Sequence, residues 1–112
     1  MKIQIQKNDS GMEHIGLEGE LDFHSASDLR SELAKAAERR AAKILIDLQK
    51  VNYVDSSGLA VFVELFQKMN RYGGKLVLFN LTPSVRGVFE ISKLDSIFQL
   101  AADEKEALSR LS

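Results

Sequence analysis

The 112-residue chain carries fifteen basic and sixteen acidic side chains, a formal net charge of −1, with 45% hydrophobic and 28% charged residues. Its length fits one α/β domain over residues 1–112, and its composition is that of a globular rather than a disordered chain. The balanced charge lacks the basic excess of a general nucleic-acid binder, and the absence of cysteine excludes disulfides, thiolate catalysis and cysteine-ligated metal.

Met1 to Lys7 alternates polar and apolar residues and lacks the apolar stretch of a signal peptide. No run approaches the ~18 apolar residues of a membrane span, so the cytoplasm is the expected location and no membrane partner is expected. Ile3 and Ile5, the turn signal Asn8-Asp9-Ser10-Gly11 and the alternation from Met12 to Leu21 predict an opening hairpin. Beyond Gly19-Glu20-Leu21-Asp22, a first helix is expected from about Ser25 to Arg40, started by His24 or Ser25 and striped by Leu29, Leu33, Ala36 and Ala37.

Lys43 to Leu48 reads as a buried central strand, and Gln49 to Tyr53 as the lead into a turn. A second helix follows and should end near Tyr72, where Gly73-Gly74 supplies a left-handed terminator. Lys75 to Asn80 is another buried strand. Thr82-Pro83 starts a third helix, with Val85, Val88, Phe89 and Ser92 facing inward. Leu94-Asp95-Ser96 breaks it, Ile97 to Leu100 forms a short last strand, and Asp103 to Leu111 a terminal amphipathic helix. Strands alternating with helices after a hairpin predict a mixed sheet of four to five strands with about four helices, the later strands being parallel.

Val54-Asp55-Ser56-Ser57-Gly58-Leu59 is the stretch around which the rest is arranged, because there the central strand hands over to the second helix. Asp55 or Ser56 can cap that helix by accepting a backbone N–H two or three residues on. The unpaired N–H groups and the positive end of the helix dipole favour negative charge at that place. Two hydroxyls, Ser56 and Ser57, therefore stand where a phosphate is tolerated, and these residues alone do not choose between them. In the helix itself Leu59, Phe62, Val63, Phe66 and Met69 form one apolar side, with Val61, Leu65, Lys68 and Tyr72 roughly opposite. The second side reads either as a ridge for a partner, beginning beside Ser56, or as the seat of a neighbouring helix.

The order and spacing of Gly19-Glu20-Leu21-Asp22, Asp47-Leu48, Asp55-Ser56-Ser57-Gly58-Leu59, Gly73-Gly74 and Pro83 with Val85 and Phe89 resemble the anti-sigma factor antagonists of the STAS domain family. The resemblance implies a single STAS-like domain in which Ser56 is phosphorylated by an anti-sigma factor that is also a GHKL-type serine kinase, and dephosphorylated by a PP2C-type phosphatase. It implies a partner surface of Asp22, Asp55, Ser56, Ser57 and Gly58, to which the ridge reading adds Val61 and Leu65. Stressosome and other partner-switching proteins of the family keep the fold and change the partner.

Catalysis offers a rival reading, with Asp55, Ser56 and His14 or His24 as a hydrolase constellation. Asp-Ser-Ser-Gly is not the Gly-x-Ser-x-Gly nucleophile elbow, and no enzyme activity is expected. Anion or nucleotide binding at the same helix start is weakly signalled, since one glycine lies in the turn and no lysine follows it. Two histidines without clustered ligand spacing give no metal site, and no cofactor is expected. Arg39-Arg40 and the charged terminal helix read as solvated surface.

Overall fold

The opening hairpin is closed by Asn8, whose side-chain oxygen accepts the backbone N–H groups of Ser10 and Met12, each at 3.0 Å. In the computed structural model, which describes residues 1–111, this hairpin joins β1 (Lys2–Lys7) to β2 (Met12–Leu21). There follow α1 (Ala26–Glu38), β3 (Lys43–Val54), α2 (Ser56–Tyr72), β4 (Lys75–Phe79) and α3 (Pro83–Ile91). A 3-10 turn (Leu94–Ser96), β5 (Gln99–Ala101) and α4 (Glu104–Leu111) complete the chain.

The five strands form one sheet in the order β1-β2-β3-β4-β5, with β1 antiparallel to β2 and all other neighbours parallel. This is the mixed sheet predicted from the alternation of elements. One face, carrying Ile15, Leu17, Ile44, Ile46, Leu76 and Leu78, packs against α1, α2 and α3; the other, carrying Leu45, Val77 and Phe79, packs against α4 through Ala107 and Leu111. Removing a large apolar side chain such as Phe62 or Leu33 from water contributes roughly 1.5–3 kcal/mol each, and both are at most 1% exposed. Among the described residues no helix is long and apolar enough to cross a membrane.

Three expectations are corrected by the packing. Val61 and Leu65 are 1% and 2% exposed and do not form a partner ridge. They face α1, beside Leu33 and Ala34, under a 2.7 Å ion pair between Arg30 of α1 and Glu64 of α2. The helix between two neighbours needs two apolar faces, and its other side meets α3 and the loop before β5 through the Phe62–Phe89 and Phe66–Phe98 ring contacts. Arg39 is not merely solvated: its guanidinium makes two hydrogen bonds, at 2.7 and 3.1 Å, to Glu13, which is only 4% exposed. The bond to Glu13 is the main reason the Arg39 pKa is raised. Ser92 is exposed, because α3 ends at Ile91 and its hydroxyl turns back to the Val88 carbonyl.

Strand β3 runs to Val54, six residues beyond the expected end at Leu48. The pairing with β4 stops at Asp47–Phe79, while β2 follows β3 as far as Leu21–Val54 with two register shifts on the way. Shifts of this kind place an extra residue on one strand and bend it. The far end of β3 thus leans on β2 on one side. On the other side Thr82 and Ser84, at the start of α3, donate to the carbonyls of Val51 and Asn52.

Candidate functional site

The carboxyl ends of β2 and β3 lie side by side and each leads through a turn into a helix. At the end of β3 the Asp55 N–H donates to the Leu21 carbonyl at 3.1 Å, so the turn is sewn to β2 before the helix begins. Asp55 has extended backbone, and its side chain accepts the N–H groups of Ser57 and Gly58 at 2.9 and 3.2 Å. Of the two capping candidates, the carboxylate performs the capping.

Ser56 is thereby left as the first residue of α2, exposed, with no hydrogen bond to its hydroxyl among the described residues; Ser57 is half-buried. The difference in exposure separates two hydroxyls that the sequence left equivalent. Gly58 is buried because α2 passes directly over Leu21: a Cβ at Gly58 would lie 2.5 Å from the Leu21 Cγ, too close for any side chain without movement.

The turn after β2 is built on a similar plan. Asp22 accepts the N–H groups of His24 and Ser25 at 2.9 and 3.2 Å. Ser25, which the sequence offered as a cap, is buried and makes no capping bond; its hydroxyl donates instead to the Glu20 carbonyl at 2.8 Å. Aspartates therefore shape both turns, and the structure brings Asp22, Asp55, Ser56, Ser57 and Gly58 to one end of the sheet.

Of the two histidine candidates, one lies on the sheet face under α4 and the other in the turn beside Asp22. His14 lies across the sheet from Leu45, on the α4 face, with Nδ1 3.4 Å from Glu104. His24 stacks on Phe23, with ring centroids 3.9 Å apart. Neither histidine hydrogen-bonds Ser56, and no cluster of three or more potential metal ligands occurs among the described residues. Phe23 is a site feature that sequence reasoning missed, since a phenylalanine before a helix carries no signal of being 67% exposed.

A mixed five-stranded sheet with this capped turn at the start of α2 has the STAS architecture. The family profile described as the STAS domain matches residues 3–107, and the chain belongs to that family. Its relatives include BtrV of Bordetella bronchiseptica, named as an anti-sigma factor antagonist, 36% identical over 107 residues that cover 96% of this chain and 91% of BtrV. The anti-sigma-B factor antagonist of Bacillus subtilis is 34% identical over 102 residues, covering 91% and 92% of the two chains. Among solved structures, the anti-sigma factor antagonist SpoIIAA in its unphosphorylated form matches with a TM-score of 0.75 at 25% identity, over 98% of this chain and 97% of that one. The phosphorylated form of the Bacillus protein matches with the same TM-score of 0.75, at 27% identity over 99% and 100% of the chains.

Proposed function

We propose that the chain is an anti-sigma factor antagonist whose docking is controlled by phosphorylation of Ser56. The observation that carries this reading is the division of labour at the turn: Asp55 caps the helix, and the exposed Ser56 hydroxyl has no structural task. Unphosphorylated, the end of the sheet formed by Asp22, Asp55, Ser56, Ser57 and Gly58 docks on an anti-sigma factor, which then releases its sigma factor. The chain acts as a binding module and is not itself an enzyme.

The anti-sigma factor is also the kinase, of the GHKL type. It transfers the γ-phosphoryl group of ATP to the Ser56 oxygen, the hydroxyl proton leaving and ADP remaining. A PP2C-type phosphatase hydrolyses the ester and restores the docking form. Such a cycle belongs to the cytoplasm, where ATP and the transcription machinery are found.

Phosphate brings about −1.5 to −2 charges at neutral pH. On the free domain this is tolerated, the helix dipole contributing roughly 0.3–1 kcal/mol in its favour. Within a protein interface the same charge is desolvated beside Asp55, at a penalty of several kcal/mol. A hundredfold loss of affinity requires only about 2.7 kcal/mol.

The test is incubation with ATP and each GHKL-type kinase of the same organism, with the phosphate located by mass spectrometry. Phosphate is expected at Ser56 in the native chain and nowhere in Ser56→Ala. Modification at Ser57, or none with any kinase, overturns the proposal.

A further inference from the structure

Of the six phenylalanines, Phe62, Phe79, Phe89 and Phe98 are at most 4% exposed and Phe66 is partly buried in the core, whereas Phe23 is 67% exposed. An aromatic ring left in water at a random surface position would be of little interest. Phe23 is not at a random position. It follows Asp22 directly, and the backbone just before it is bonded to the Ser56 turn through the Asp55 N–H and the Leu21 carbonyl. Leu21 and Val54 are register partners, and neighbouring strands lie about 4.8 Å apart, so Phe23 and Ser56 leave adjacent strand ends on the same end of the sheet.

The ring is also held in place. Asp22 fixes the turn through the His24 and Ser25 N–H groups, Ser25 is buried and bonded to Glu20, and the His24 ring stacks on Phe23 at 3.9 Å. An aromatic side chain ordered before it binds loses little conformational freedom on docking, and such residues dominate interface energetics. Nothing in the fold is served by this order, since the side chain contributes to neither apolar cluster.

We propose that Phe23, backed by His24, is the apolar anchor of the docking surface, seated in a hydrophobic pocket of the same anti-sigma kinase that reads Ser56. The inference rests on the docking reading above and adds the residue that supplies its affinity. Ser56 then decides whether the surface can be approached, and Phe23 how tightly it is held.

The experiment is calorimetric titration of the unphosphorylated protein into the kinase that modifies it, with ADP bound to the kinase. Phe23→Ala is expected to bind at least about tenfold more weakly, with an unchanged thermal midpoint because the ring packs on no core residue. Phe23→Leu should recover most of the loss, and Ile91→Ala, which removes a still more exposed apolar side chain at the last residue of α3, should bind like the native protein. Binding of Phe23→Ala within twofold of native, while Ser56→Asp binds weakly, overturns the role of Phe23 and leaves the docking reading standing. Binding of Ser56→Asp as tight as native removes the docking reading itself, and the anchor with it.

Discussion

Gly58 illustrates how one missing side chain fixes the position of the Ser56 turn. Alanine has a helix propensity advantage over glycine of about 1 kcal/mol, yet here its Cβ would stand 2.5 Å from Leu21 Cγ and 3.0 Å from the Leu21 carbonyl oxygen. Overpacking typically costs 1–3 kcal/mol, so Gly58→Ala is expected to lower stability in urea unfolding by about 1–2 kcal/mol. In a Leu21→Ala background the same change should cost less, because Cγ and Cδ2 are gone and only the Leu21 carbonyl oxygen at 3.0 Å remains. An identical loss in both backgrounds would show that the contact is not the cause. A cap at Asp55 or Ser56 was legible in the sequence, since capping is a local matter of residue type, whereas which of the two performs it and which serine stays exposed came with the structure. The contact with Leu21, 37 positions away, and the bidentate pair between Glu13 and Arg39 were not legible, because both depend on how distant segments meet.

The second helix shows the same boundary between what spacing reveals and what it conceals. Two apolar sides were plain in the sequence; that both are covered was not, because that is decided by the neighbour placed over Val61 and Leu65. The end of the helix was legible from Gly73, which takes the left-handed conformation at φ 81°. Just before it, Tyr72 ties α2 to the turn preceding β3 by donating its hydroxyl to the Ala41 carbonyl at 2.9 Å. Burial, foremost, and the nearby Glu13 raise the Tyr72 pKa, while Arg40 opposes them. A phenol whose pKa is higher folded than unfolded adds stability that is full below about pH 10, the unfolded value, and is lost as pH rises through the folded one. Tyr72→Phe is therefore expected to lose about 1 kcal/mol at neutral pH with the hydrogen bond, and to show a shallower fall in stability above pH 10. An unchanged alkaline slope would count against this assignment.

At the scale of the molecule, the mixed sheet and its four helices followed from the order of apolar strands and striped helices alone. The extension of β3 and the division of the sheet between helices on its two faces came only with the structure, since register shifts leave no mark in residue type. A charge added at Ser56 lies outside both apolar clusters, so phosphorylation is expected to shift amide resonances around residues 20–25 and 53–60 and to leave the rest of the spectrum in place. Shifts spread through α4 and β5 would instead indicate refolding. The interlock of Gly58 with Leu21 carries one more consequence. The turn is seated against the core through this contact, so in the proposed cycle a phosphoryl group at Ser56 would meet a start of α2 already held in place. The tempo of the proposed cycle would then be set by the enzymes that attach and remove the phosphoryl group.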